Sequence, residues 1–290
     1  MVECRVGVLG ASSLVGMGIQ SLLMGMGCRI TAFSRQAQCQ ADGGIEWRQL
    51  NTPTGFCLPS GDKPIRQWIC VAPIWVLPQH FAMLQAYGAR RLLVLSSTSC
   101  FTKDDSSDHE EQAVACCLKD GERCLQIWAA AHGVEWTILR PTLIYGFGRD
   151  KNIAEIARFV RRFGFFPLFG RAQGLRQPIH ALDVASACVA ALDSPATVNR
   201  SYNISGGETL AYREMVARIF AAMRRPLRLV SVPLPVFRAA VALLRLFPRY
   251  RHWSAAMAER MNRDLVFDHS EATRDFGFKP RPFILSGEDM

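Results

Sequence analysis

The sequence predicts an α/β fold: a doubly wound parallel sheet with helices on both faces, and a smaller, discontinuous C-terminal lobe. Three observations predict it. Short apolar runs at 6–9, 28–33, 68–72, 92–95 and 135–139 alternate with helical patterns at 14–24, 76–87 and 111–131, the order of a parallel sheet built from crossover units. A glycine-rich turn, GASSLVG at 10–16, joins the first strand to the first helix. The chain has 290 residues, 49% apolar and 20% charged, enough for one large domain or a domain plus a lobe.

The first turn carries the most chemistry. A strand feeding a helix through such a turn aims backbone N–H groups and the positive helix end at a diphosphate. Gly10 permits the tight turn and Gly16 lets the helix approach the strand; Ser12, Ser13 and Leu14 complete the candidate binding turn. Ser13 stands at the middle position, where glycine normally lets the pyrophosphate come close. The second strand, 28–33, ends in Ser34-Arg35. In a dinucleotide fold this end meets the adenosine ribose: an acid accepts from the 2′-hydroxyl, whereas arginine accommodates a 2′-phosphate. Ser34 in place of an acid, with Arg35 after it, favours NADP(H) over NAD(H).

Residues 45–50 form a weaker third strand, and 51–64 read as a Pro/Gly loop. The strand 68–72 (WICVA) is closed by Pro73, and 76–87 fits a helix. The strand 92–95 ends in Ser96-Ser97-Thr98-Ser99. Hydroxyls at the carboxyl end of a strand lie where such sheets bind ligands, so Ser97 and Thr98 are catalytic candidates; a polar strand cap is the structural alternative. The helix 111–131 carries Lys119 and Glu122, spaced for a surface ion pair. The strand 135–139 closes in Arg140-Pro141, and 142–152 reads as a loop into the second lobe.

The net charge of +9 is concentrated in the second half. Arg158, Arg161, Arg162, Arg171 and Arg176 occur between Glu155 and Asp183 without an acid, and eight arginines lie between Glu214 and Glu259 without one. Such a surplus suits anionic lipid or a phosphorylated substrate, and equally a merely solvated basic face. No nucleic-acid motif accompanies it, so no nucleic-acid partner is expected. The ten cysteines form no CxxC pair, and the adjacent Cys116-Cys117 is poor metal geometry. We expect reduced, mostly core cysteines, no metal site and a cytoplasmic protein. Met1-Val2-Glu3 leads straight into the first strand, with no leader pattern. No apolar run reaches the ~18 residues of a spanning helix.

The motifs, in order, resemble the extended or atypical short-chain dehydrogenases/reductases of the NAD-dependent epimerase/dehydratase type. GASSLVG resembles that family's cofactor turn, LLVLSSTS (92–99) its serine strand and ILRPTLIYG (138–146) its RPxxxYG segment. IHALDVASACVAAL (179–192) resembles its H-x-x-D-V-A helix, SYNISGGETL (201–210) its later strand-turn, and DFGFKPRPF (275–283) its tail. The resemblance implies a Rossmann-like NAD(P)-binding domain over 1–150, with 177–205 returning to it. A substrate or partner lobe then comprises 151–176 and 206–290. It implies oxidoreductase or isomerase chemistry on a sugar-nucleotide or lipid-linked small molecule. The family's catalytic pair is Tyr-x-x-x-Lys: the phenol moves a proton, and the lysine lowers its pKa and holds the nicotinamide ribose. Lys119 matches the lysine, but Ala115 stands four residues earlier, and no tyrosine lies between Tyr87 and Tyr145. Two readings follow. In one, an enzyme uses Ser97 or Thr98 to orient a carbonyl and Lys119 to hold the ribose, with His109, Glu110 or a cysteine as substitute acid. In the other, the chain is a non-catalytic nucleotide-binding accessory or a redox-sensing protein.

In the second lobe, 152–163 fits a helix, and 164–170 (GFFPLFG) reads as a loop where the family closes over its substrate. His180 and Asp183 start the next helix, with Asp183 favouring its N-terminus. Residues 210–223 fit another helix. At 235–247, PVFRAAVALLRLF places Arg238 and Arg245 on one face and Val236, Ala240, Leu243 and Phe247 opposite; Arg249 and Arg251 extend the basic end. This suits a helix in a membrane interface or one packed on the lobe's core. The segment 235–251 is therefore the candidate contact for a protein partner or for the inner membrane face.

Overall fold

The structure is a computed structural model that describes residues 4–35, 44–50, 61–104, 106, 108–233, 235, 237 and 255–290. The helix expected at 235–247 and its basic extension lie outside the described residues, apart from Pro235 and Phe237, as do residues 51–60 of the expected loop.

The strands run in chain order β1 (Arg5–Leu9), β2 (Arg29–Ser34), β3 (Ile45–Gln49), β4 (Gln67–Cys70), β5 (Arg91–Leu95), β6 (Glu135–Pro141), β7 (Ile144–Tyr145), β8 (Phe166–Phe169), β9 (Leu175–Arg176), β10 (Ile179–His180), β11 (Arg200–Ile204), β12 (Leu210–Ala211) and β13 (Leu229–Val232). The helices are α1 (Leu14–Gly25), α2 (Phe81–Ala86), α3 (Ser99–Thr102), α4 (His109–His132), α5 (Ile153–Phe163), α6 (Ala181–Asp193) and α7 (Tyr212–Ala222), followed by Ala255–Asn262 and Ser270–Phe276. Seven strands form one parallel sheet in the order β11-β6-β5-β4-β1-β2-β3. The chain reverses direction across the sheet between β1 and β4, and such a sheet binds ligands beyond its carboxyl ends at that switch point. The doubly wound, Rossmann-like expectation is met.

Period-two alternation explains the two layers. Val6, Val8, Ile30, Ala32, Ile69 and Leu93 face one way, into a core shared with α1 and α6. Phe33, Trp68, Cys70, Leu92, Val94 and Ile138 face the other way, against α2 and α4. Each such fully buried large side chain contributes about 1.5–3 kcal/mol. Arg91 is buried at the carboxyl end of α6, donating to the Ala191 and Leu192 carbonyls and to Thr197 Oγ1; it satisfies a helix end that has no further turn. The second lobe has its own core, in which Tyr145, Ile153, Val160, Leu168, Val216 and Phe220 pack together. Among the described residues, no helix is long and apolar enough to cross a membrane.

Several expectations are corrected. The segment read as a closing loop, GFFPLFG, contains β8, which pairs in parallel with β13. The helix expected at 76–87 is a 3-10 turn, Ile74–His80, followed by α2; Pro78 has no N–H to donate to a regular helix. The 142–152 loop contains β7, paired with β10. Cys4 and Cys28 are disulfide-bonded, with Cα atoms 4.8 Å apart, where reduced cysteines were expected. Their strands are neighbours, and Arg29 N–H donates to the Cys4 carbonyl at 2.8 Å. Cys116, Cys117 and Cys124 are exposed, not in the core.

Candidate functional site

The turn after β1 is built as a cradle. Gly10 has φ +80°, and a Cβ there would lie 2.6 Å from the Ala72 amide nitrogen. A Cβ on Gly16 would lie 2.5 Å from the Ala11 carbonyl oxygen. Only glycine lets α1 start this close to the strand end. Ser13 N–H donates to the Gly10 carbonyl at 3.0 Å, and Ser13 Oγ accepts from Gly16 N–H at 3.1 Å. The serine at the middle position is thus the N-cap of α1. A helix leaves its first amides without intrahelical partners, so those of Leu14 and Val15 remain for an anion. Gln20, buried on α1, donates to the Ala11 and Gly16 carbonyls at 2.6 and 3.1 Å and locks the turn from behind. Its sequence signal is a polar residue on an apolar helix face, one turn after Gly16.

Two cavities meet above this turn. One, of about 680 Å³, is lined by Gly10, Ser12, Ser13, Ser34, Arg35 and His80 among others. The β3 end holds its far wall: Leu50 N–H donates to the Ser34 carbonyl at 2.8 Å, and Gln49 Nε2 to the Arg35 carbonyl at 3.2 Å. Arg35 itself is exposed. Burial lowers the pKa of His80, keeping it neutral. The second cavity, of about 460 Å³, shares Ser13 and Val71–Pro73 with the first and continues past Ser97, Ser99, Leu118 and Ile144 to Arg149, Asp150 and Lys151. A further cavity, of about 510 Å³, lies at the opposite edge of β1–β3, beside Cys28, away from the carboxyl ends.

The serine strand divides its roles. Ser97 lines the cleft, and its Oγ accepts from Ser99 N–H at 3.1 Å. Thr98 is buried and donates to the Pro141 carbonyl at 3.1 Å; its hydroxyl is committed to the fold, which leaves Ser97 to face a ligand. Ser96 Oγ donates to Glu122 at 2.5 Å, and Glu122 also accepts from Arg140 Nε at 2.9 Å and Nη2 at 2.5 Å. This triad ties α4 to the ends of β5 and β6, at the residue that precedes Ser97. Burial and the Glu122 charge push the neighbouring Cys100 thiol up to about 11, so no reactive thiolate lies there.

Helix α4 is capped by Asp108, which accepts from Glu110 N–H at 2.9 Å, and ends at Gly133. Val114 and Leu118 line the cleft, and Ala115 is fully buried between them. Where the resemblance places a phenol, the wall is apolar. Lys119 is half exposed and pairs with Asp104 at 2.6 Å; that partnership replaces the expected one with Glu122, and the ammonium is not part of the cleft wall. Tyr145 is fully buried, its hydroxyl donating to the Ile284 carbonyl at 3.3 Å, and burial pushes its pKa up to about 12. At the start of α6 the cap is His180, whose Nδ1 accepts from Leu182 N–H at 3.1 Å. Asp183 lies in the first helical turn and accepts from the Arg281 backbone and Nε, tying down the tail. His180 Nε2 donates to the buried Asp289 at 3.2 Å.

Residues 80–205 match the NAD-dependent epimerase/dehydratase family. A UDP-glucose 4-epimerase from Vibrio cholerae is 23% identical over 209 residues, 69% of this chain and 61% of its own length. NADH dehydrogenase (ubiquinone) 1 alpha subcomplex subunit 9, mitochondrial, from Arabidopsis thaliana is 32% identical over 109 residues, 37% of this chain and 27% of its own length. The chain thus spans less than two thirds of either relative. The solved structure of MoeE5 in complex with UDP-glucuronic acid and NAD superposes with a TM-score of 0.69 at 18% identity, covering 96% of this chain and 94% of that one. The matched segment holds the serine strand, α4 and the strand bearing Arg140. The chain therefore carries, over residues 80–205, a segment that matches the NAD-dependent epimerase/dehydratase family, set in a Rossmann-like seven-stranded parallel sheet shared with the solved structures of epimerases and dehydratases.

Proposed function

We propose that the chain binds NADP(H) in the joined cavities and acts as an oxidoreductase or isomerase on a sugar-nucleotide or lipid-linked substrate. The observation that carries this reading is their continuity: one reaches Ser34 and Arg35, the other reaches Ser97, and the two share Ser13 and Val71–Pro73. The close approach that Gly10 and Gly16 alone permit fits a diphosphate against the start of α1. Arg35 pairs with the 2′-phosphate, in a position where an acid would favour NAD(H). When bound, the nicotinamide supplies or accepts hydride. Ser97 holds a substrate oxygen, and Arg149 and Lys151 attract an anionic substrate at the mouth. Lys119 reaches the nicotinamide ribose only by leaving Asp104.

A second reading, a non-catalytic accessory or redox-sensing protein that keeps the nucleotide, is favoured by the buried Ala115 and the apolar wall around it. Single-turnover oxidation of bound NADPH across carbonyl and sugar-nucleotide substrates separates the two. Turnover supports the enzyme; tight NADPH binding with no turnover on any substrate supports the accessory. We also propose that 235–251 contacts an anionic membrane surface or a protein partner. Salt-sensitive co-sedimentation with anionic liposomes supports the membrane, and its absence at low salt supports the protein.

A further inference from the structure

The second lobe holds a cavity of about 370 Å³ between α5, β8 and α7. Leu143, Ile156, Phe159, Phe166, Met215 and Met261 supply its apolar wall, and Lys151, Asn152, Glu155, Arg176, Tyr212 and Arg260 the rest. Lys151 lines both this cavity and the cleft that contains Ser97, so the two adjoin at this residue. We infer that this cavity takes the apolar chain of an amphipathic substrate whose phosphate-type anion rests at Lys151, with the reacting end directed to Ser97. The inference rests on the proposed function, because it makes the cleft at Lys151 the place where chemistry occurs.

The polar groups of the cavity favour one anion at one end. Arg176 is committed to the carbonyls of Leu175, Arg263 and Arg260 and lies over the Tyr212 ring at 5.5 Å. Arg260 pairs with Glu111, and Glu155 with Arg158 at 3.9 Å. Lys151 is exposed and has no partner among the described residues. Against Leu143, Phe159, Phe166 and Met215 an alkyl or prenyl chain has no polar edge to desolvate, whereas a nucleoside base does. A route for a longer chain leads outward. Phe159 on the cavity wall contacts Phe163 and Phe165, with ring centroids 4.6 and 5.8 Å away. Phe163 and Phe165 are 51% and 36% exposed, an apolar rim of the kind that marks a ligand or membrane contact.

The test is binding of butyl, hexyl and octyl phosphate to the full chain below their micelle concentrations. Calorimetry gives the affinities, and the carbon-13 methyl signals of Met215 and Met261 report the place. Affinity should rise up to about four-fold per added methylene, with both methionine signals shifting. Lys151→Glu should weaken octyl phosphate but leave octanol unchanged. Met215→Trp, checked for folding by circular dichroism, should abolish the dependence on chain length; if it does not fold, the Lys151→Glu comparison decides. No dependence on chain length, unshifted methionine signals, or displacement of octyl phosphate by uridine overturns the inference. Loss of NADPH binding, titrated separately by nicotinamide fluorescence, overturns the proposed function and not the apolar site.

Discussion

Glu122→Ala tests the architecture under the serine strand. The Glu122 carboxylate is 10% exposed and Arg140 18% exposed. Removing the carboxylate leaves the guanidinium without its two hydrogen bonds and Ser96 Oγ without its acceptor. Removing one partner of a buried pair costs about 3–5 kcal/mol. Arg140 retains some solvent and lies over the Phe101 ring at 5.1 Å, which argues for the lower end, about 3 kcal/mol. With a urea slope of about 2–3 kcal/mol/M, the unfolding midpoint should fall by about 1–1.5 M, read by circular dichroism. Glu122→Gln keeps one acceptor oxygen for Ser96 and Arg140 Nε but sets an NH2 donor against Arg140 Nη2, so it should cost less than Glu122→Ala without being neutral. A loss below about 1 kcal/mol for Glu122→Ala would refute the reasoning, since it would place the triad among exposed ion pairs.

Asp289 gives a pH prediction. Burial raises its pKa, but hydrogen bonds from Ser286 N–H and Oγ, Phe147 N–H and His180 outweigh burial and hold it below the ordinary 3.8. A depressed folded-state value stabilises above the unfolded value and is lost as pH falls through the folded one. Stability should therefore drop on acidification below about pH 4, and Asp289→Asn should flatten that part of the curve; an unchanged acid limb would count against the assignment. Lys119→Ala should weaken NADPH binding less than Arg35→Asp does, because Lys119 is engaged by Asp104 outside the cleft wall; the reverse order in a fluorescence titration would give it back the ribose. Ala115→Tyr should raise single-turnover NADPH oxidation, by up to the ~10²–10⁴-fold of a positioned acid; equal rates in a folded variant would show that the missing phenol is not what limits turnover.

The sheet was legible because its strands are short, apolar and separated by helical periods. The positions of Gly10 and Gly16 in the turn after β1, and of Ser34 and Arg35 at the end of β2, were legible because a strand followed by a glycine turn has few geometries. The second lobe was harder to read. Its two-residue strands β7, β9, β10 and β12 exist only through partners distant in sequence, and β8 sits between two glycines that signal a loop. Pro78 concealed the switch from a 3-10 turn to α2. Side-chain commitments were hidden for the same reason. Nothing in the spacing of Lys119 and Glu122 shows that the lysine turns to Asp104 while the glutamate turns inward to Arg140. Thr98 and Ser97 are adjacent hydroxyls in sequence, and only the Pro141 carbonyl distinguishes them.

The central claim, that this cleft binds a dinucleotide with its 2′-phosphate at Arg35, is tested most directly by titrating the protein with NADPH and NADH by nicotinamide fluorescence. A charge-assisted hydrogen bond contributes about 1.5–3 kcal/mol, so NADPH should bind about 10- to 100-fold more tightly, and Arg35→Asp should erase the difference. Equal affinities, or a preference for NADH in the unaltered protein, would contradict it.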